Sequence, residues 1–141
     1  MNYSMFAIMC IALSAAFFNQ FYTENKKNLD FAAEQSKAGQ FMIYVSAFDD
    51  FHKINTTVTG EVTGFVKIPE WLPENKNIKM VIEGGVGYIY MPDSPGLMDQ
   101  VIKLSNNSSH VGISNNTEIM TVSGGVIKPN FIGSGYIVFM R

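Results

Sequence analysis

The residue types that can do chemistry are few in this chain and lie far apart. His52 and His110 are its two histidines, and no His-x-x-x-His or similar spacing surrounds either of them. A metal site needs several nitrogen, sulfur or carboxylate ligands that converge on one point. We therefore interpret His52 as a helix-end residue and His110 as a residue at the start of a strand, and we predict no metal site.

Two further patterns resemble catalytic or binding motifs without their structural context. Asp49 and Asp50 are adjacent carboxylates, but neighbouring helix positions point about 100° apart, which favours a solvated helix face over an acid–base pair. Gly85-Val86-Gly87 is reminiscent of a phosphate loop, but no helix N-terminus follows it to hold a phosphate. We predict no catalytic residue, no cofactor and no enzymatic activity.

Trp71 is the candidate contact residue for a partner protein. It lies in a short segment with Pro69, Leu72 and Pro73, and two prolines so close together exclude a central strand. Tryptophan is enriched among residues that dominate binding at protein interfaces. The alternative interpretation is that Trp71 pins this loop over the core.

Composition excludes several classes of partner and site. The net charge is -2, and only one of the ten basic residues is an arginine, so we predict no nucleic-acid partner. Cys10 is the single cysteine and lies in the apolar N-terminal segment. The remainder of the chain therefore has neither a disulfide nor a cysteine-based zinc site.

The N-terminal segment predicts a transmembrane anchor over residues 1–24. Its first 22 residues carry no charged side chain, and ~20 apolar helical residues span a bilayer. A cleaved signal peptide is the alternative, but a basic start is missing, and apolar residues continue through Phe17, Phe18 and Phe21 beyond the small residues 14–16. We predict an uncut anchor that contacts membrane lipid. Lys26, Lys27 and Lys37 follow the anchor, and by the positive-inside rule they would place the C-terminal part in the cytoplasm, but so few charges do not fix the orientation.

An amphipathic helix is predicted over residues 25–54. The polar residues 25–28 predict an interruption, with Asn28 as N-cap, although the two helices can also be nearly continuous. One apolar stripe follows at helical spacing: Phe41, Tyr44, Val45, Phe48 and Phe51. A stripe of that size is expected to pack on the rest of the domain.

Residues 55–141 predict a β-rich domain. Gly84-Gly85 joins two β-type runs as a two-residue hairpin turn. A second hairpin is predicted around residues 115–117 and a further turn at Gly124-Gly125, followed by a short extended piece. Val58–Lys67 is predicted as an extended segment.

One short helix interrupts these strands. Ser94-Pro95 predicts its N-cap and first residue, and apolar residues at helical spacing carry it to about Ser105. The fully apolar run Tyr136–Met140 predicts a central strand. The fold class is α+β: a long N-terminal transmembrane and amphipathic helix packed on a mostly antiparallel sheet with one inserted helix.

The order of these features resembles the PilM family of conjugative thin-pilus (type IVB pilus) systems. The matching segments are residues 68–73 (IPEWLP), 86–90 (VGYIY), 109–112 (SHVG) and 127–138 (IKPNFIGSGYIV). The resemblance implies a single-pass inner-membrane protein of the pilus basal body, with residues 55–141 in the periplasm, that serves pilin transport or assembly. It implies no catalytic residue.

Two functions follow as hypotheses. In the first, the chain is a non-enzymatic scaffold that binds other pilus assembly proteins and pilin. In the second, it is a pilin-like minor structural subunit of the fibre. The N-terminal segment lacks the Gly-Phe and downstream Glu at which prepilins are processed, which favours the scaffold. The sequence is also compatible with a homo-oligomer.

Overall fold

The computed structural model describes residues 3–141, apart from the side chains of Tyr3 and Phe6. The chain divides into two compact units, Met1–Ala33 and Glu34–Arg141. Helix α1 is assigned to Tyr3–Ile54. Residues 25–28 continue the helix, so the predicted interruption with Asn28 as N-cap is wrong, and the alternative of a nearly continuous helix is confirmed.

The described part of the first unit consists of α1 residues with exposed side chains. Across residues 3–141, no helix contains a stretch long and apolar enough to cross a membrane. The predicted transmembrane span 1–24 is therefore not supported by the described residues. Residues 1 and 2 of that span lie outside the described residues.

The second unit contains a seven-stranded antiparallel sheet with the order β1-β2-β3-β7-β4-β5-β6. The elements after α1 are β1 (Gly60–Glu61), β2 (Lys79–Glu83), β3 (Val86–Pro92), α2 (Leu97–Leu104), β4 (Val111–Ser114), β5 (Glu118–Thr121), β6 (Gly124–Ile127) and β7 (Tyr136–Met140). The α+β class, the antiparallel sheet and the inserted helix are confirmed. The apolar strand β7 lies in the centre of the sheet, as predicted.

Both predicted hairpins are confirmed, and the first has a clear backbone cause. Gly84 and Gly85 have φ values of 60° and 82°. Positive φ at both central residues matches the twist of the flanking strands, and glycine reaches that region without steric conflict.

Three local predictions are wrong. The turn between β5 and β6 lies at Val122-Ser123, because the Thr121 hydroxyl donates to the Gly124 carbonyl and accepts the Ser123 N–H. Ser94 is not the N-cap of α2: Gly96 holds that position, and the Ser94 hydroxyl bonds elsewhere. Of the extended segment predicted at residues 58–67, only β1 forms a strand.

The apolar stripe of α1 packs on one face of the sheet, as predicted. Phe41 and Phe48 are fully buried, Tyr44 and Val45 nearly so, and Phe51 is partly buried. The facing sheet residues are Met80, Ile82, Ile89, Met91, Ile137 and Phe139, with Leu97 and Val101 of α2 in the same cluster. These side chains alternate along their strands with residues of the opposite face.

Phe48 occupies a notch in the sheet at Gly87. A Cβ at Gly87 would overlap Cε1 and Cζ of the Phe48 ring. The Gly87 N–H donates to the Arg141 carbonyl at 2.7 Å, and the Arg141 N–H donates back at 2.8 Å. Gly87 therefore lets α1 approach the sheet closely while its own backbone remains paired.

The opposite face of the sheet has a smaller apolar cluster. Ile119, Ile132 and Val138 are fully buried there. The segment between β6 and β7 supplies Ile132 and partly buried Phe131, whose ring contacts the rings of Tyr88 and Tyr90. This segment therefore covers part of the second face of the sheet.

We expect Gly87→Ala to lower the free energy of unfolding by roughly 1–3 kcal/mol, because an extra methyl must displace the Phe48 ring from a packed core. Gly39→Ala is the matched control: it adds the same methyl within α1 where nothing lies within 4 Å. That change should raise stability by about 0.5–1 kcal/mol. Urea unfolding of both variants measures the difference, and equal effects would contradict the packing described.

Candidate interaction surface

An apolar groove runs along the outer side of α1 within the second unit. We call it the α1 groove; its volume is about 790 Å³. Its lining residues are Met42, Ile43, Ser46, Ala47, Asp50, Phe51, Ile54, Asn55, Phe65, Lys67 and Pro69. Ile54 and Phe65 are 82% and 73% exposed, which is unusual for side chains of this size and type.

A tight turn explains why Phe65 points outward. The amides of Phe65 and Val66 both donate to the Val62 carbonyl, at 2.9 and 3.3 Å. Val62 and Val66 are buried in the core, whereas Phe65 lies on the other side of the turn. The turn therefore buries the two valines and leaves the larger aromatic ring in solvent.

A second hollow adjoins the first and contains Trp71. Its lining residues are Ser36, Gly39, Gln40, Ile43, Trp71, Leu72 and Pro73. Ile43 lines both hollows, so they form one surface, which we call the aromatic surface. Gly39 has open space around it, and its lack of a side chain leaves the hollow deeper beside Trp71.

Hydrogen bonds between α1 and the loop hold Trp71 in position. The Gln40 side chain donates to the Pro73 carbonyl at 2.7 Å and accepts from the Asn75 side chain at 3.0 Å. The Tyr44 hydroxyl accepts the Asn75 N–H at 2.8 Å. The aromatic surface is therefore built on a loop fixed to a packed helix.

Ile68 and Leu72, rather than Trp71, attach this loop to the core. Trp71 itself is 72% exposed, so the interpretation of Trp71 as a pin over the core is wrong. Its role as a partner contact stays a prediction. The sequence analysis missed Phe65 and Ile54, because their exposure depends on the turn at Val62 and on the end of α1.

The structure does not bring the histidines and the carboxylate pair together into a site. His52 stacks on Phe48 with ring centroids 5.6 Å apart, and His110 stacks on Phe139 at 6.3 Å. Asp49 lies 3.1 Å from the Arg141 guanidinium, whereas the Asp50 side chain is 78% exposed. Within residues 3–141, no three His, Cys, Asp or Glu side chains are grouped to hold a metal ion.

Two carboxylates, Glu34 and Asp93, have pKa values that are shifted in opposite directions. The Ser94 hydroxyl donates to Glu34 at 2.6 Å, and this bond together with Lys37 at 2.9 Å lowers the pKa of Glu34. Burial raises the pKa of Asp93, and the nearby charges of Glu34 and Asp99 raise it further. Among the described atoms, Asp93 Oδ1 is buried without a hydrogen-bond partner.

This arrangement defines the class of protein: an α+β domain that carries an apolar, aromatic surface on the outer side of α1. Tryptophan and phenylalanine supply large contact areas with little loss of side-chain entropy. The charged rim of the α1 groove is limited to Asp50 and Lys67.

Comparison with known proteins then identifies the family. The model of the PilM family matches residues 8–140, so this chain belongs to the PilM family. The family membership confirms the resemblance inferred from the sequence and indicates a pilus-related function. A comparison with curated proteins gives no significant match.

Two crystal structures are similar to this chain. A PilM protein from Escherichia coli B7A has a TM-score of 0.63 at 22% identity, over 78% of this chain and 92% of its own. A PilM protein from Pseudomonas aeruginosa 2192 has a TM-score of 0.47 at 20% identity, over 77% of this chain and 94% of its own. The likeness to the first supports the fold described above.

We expect Asp93→Asn to raise the melting temperature at pH 7. Folded Asp93 holds its proton more tightly than the unfolded chain does, so its contribution to stability is lost as pH rises through the raised pKa. The gain should vanish near pH 3, below the ordinary Asp pKa of about 3.9.

The matched control is Asp50→Asn, which removes a carboxylate that is exposed and weakly paired. Thermal unfolding across this pH range checks both variants. An Asp93→Asn effect that is the same at both pH values would contradict a buried, destabilising charge.

Proposed function

We propose that this chain is a non-enzymatic inner-membrane component of a type IV (thin) pilus assembly or pilin transport apparatus. It acts as a scaffold, and the aromatic surface is where it binds another pilus assembly protein or pilin. The observation that carries this proposal is the exposure of Trp71, Phe65 and Ile54 on one continuous surface. Monomeric soluble proteins rarely expose a large apolar patch without an interaction to bury it.

The position of the aromatic surface favours a binding role. Trp71 lies on a loop that Gln40 and Asn75 fix to α1, so little ordering is needed when a partner docks. A preordered surface loses less conformational entropy on binding than a mobile one. The apolar floor supplies affinity, and Asp50 and Lys67 at the rim supply orientation.

Membrane attachment through the N-terminal segment is part of the proposal. The side chains of Ile8, Ile11, Phe17, Phe18 and Phe21 are each more than 60% exposed. So many exposed apolar side chains in sequence favour burial in lipid or in a partner. Membership of the PilM family favours the inner membrane as the membrane to which this segment attaches, with residues 55–141 in the periplasm.

The test combines Trp71→Ala and Phe65→Ala in the full chain. Each ring is largely exposed, so thermal unfolding should change little. Loss of two aromatic anchors should reduce the pilin recovered in sheared pili at least about tenfold. Leu104→Ala is the control, because Leu104 is another exposed apolar residue, 46% exposed on α2.

Normal pilus yield from the double variant would contradict the binding role of the aromatic surface. Location is measured in the same cells: the scaffold hypothesis expects an intact Met1 in the inner-membrane fraction. Recovery of a trimmed chain within the sheared fibres would instead support a pilin-like subunit.

A further inference from the structure

The two edges of the sheet differ in how they meet solvent. At one edge, β1 is two residues long, and the Thr63 hydroxyl next to it accepts the Met80 N–H at 3.0 Å. Glu61 and Lys79 add an ion pair there at 3.7 Å. Short strands and charges are the devices by which proteins block an edge against another strand.

The opposite edge, β6, is twice as long as β1, and the nearest charged residue and proline of its own segment, Lys128 and Pro129, lie beyond Gly124–Ile127. All four residues are exposed, and none is charged or a proline. In the described part of the chain, no strand pairs with the outer side of β6. An exposed edge of this kind is a template for pairing with another strand.

The hydrogen-bond pattern shows which backbone groups point outward from β6. The Lys128 N–H donates to the Thr117 carbonyl at 3.0 Å, so the backbone N–H and C=O groups of Lys128 point toward β5. Orientation alternates along a strand. The N–H and C=O groups of Gly125 and Ile127 therefore point away from the sheet and can pair with an added strand.

Apolar side chains flank this edge. Ile127 is 84% exposed, Val122 58%, Val126 44% and Met120 43%. Val126 and Ile127 point to opposite faces, so an added strand gains apolar contacts on both faces.

The charge next to Gly125 selects the incoming strand. The Glu118 carboxylate leans across β6, with Oε2 only 2.6 Å from where a Cβ of Gly125 would lie. A side chain that faces Gly125 from an added strand would therefore meet a carboxylate. A lysine or arginine at that position would form a charge-assisted hydrogen bond.

A second copy of this chain fits the same edge poorly. Antiparallel pairing centred on Val126 would set an apolar Ile127 opposite Gly125 and its neighbouring carboxylate. Pairing centred on Gly125 would bring two Glu118 carboxylates together. Two like charges that face each other across paired strands destabilise the pairing.

We propose that β6 is a second interaction site, which binds an extended segment of another protein by strand addition. The segment carries a basic residue opposite Gly125 and β-branched residues beside it. This site is separate from the aromatic surface, and the inference does not rest on the proposed function.

The test uses the full chain in detergent micelles and the blocked peptide TVKVTV. Amide exchange followed by NMR should slow at least about tenfold for Gly125 and Ile127 when the peptide is saturating, because these N–H groups gain acceptors. The amide of Val126, which already points toward β5, should not change. The peptide TVEVTV should bind about tenfold more weakly than TVKVTV, because it lacks the charge-assisted hydrogen bond to Glu118.

Two variants complete the test. Glu118→Gln should bring the affinities of the two peptides close together while binding persists. Ile127→Pro removes one outward N–H and no bond to β5, so it should abolish protection by the peptide.

Unchanged exchange at saturating TVKVTV, or equal binding of both peptides to the unaltered chain, would overturn the proposal. So would protection of Gly125 that rises with protein concentration when no peptide is present, because that result assigns the edge to a second copy.

Discussion

The contact between the Phe48 ring and Gly87 is the constraint on which the second unit depends. It sets how closely α1 approaches the sheet, since any side chain at position 87 would hold the helix away. The same close approach buries Phe41, Tyr44 and Val45. Without it, the stripe would lose its facing residues, and burial of apolar area is the main term that stabilises a domain of this size.

Docking in this orientation also determines which residues remain outside. Once one face of α1 is buried, Ile43 and Ile54 must lie on the outer side, where the turn at Val62 adds Phe65 and the tied loop adds Trp71. The aromatic surface is thus a consequence of the packing. The sheet continues from the covered strands to β6, whose outer edge is left open. The fold therefore leaves two different surfaces exposed: the aromatic surface on α1 and the outer edge of β6.

Much of this fold could be predicted from periodicity and turn chemistry. The stripe from Phe41 to Phe51, the glycine hairpin and the central position of β7 each have a local cause that a sequence displays. The candidate site depended on tertiary packing instead. Trp71 was found by residue type alone, whereas the exposure of Phe65 follows from a turn whose two valines are buried. Ser94 shows the same limit, because its hydroxyl bonds Glu34 across 60 residues rather than capping α2.

A double-mutant cycle between Phe48→Ala and Gly87→Ala, measured by urea unfolding of the full chain, tests this contact. If the ring lies in the notch, the methyl added at position 87 enters the space that the truncated ring vacates. The two changes should then be strongly non-additive, with a coupling energy of about 1–3 kcal/mol. Effects that add to within about 0.5 kcal/mol would show that Phe48 does not pack against Gly87.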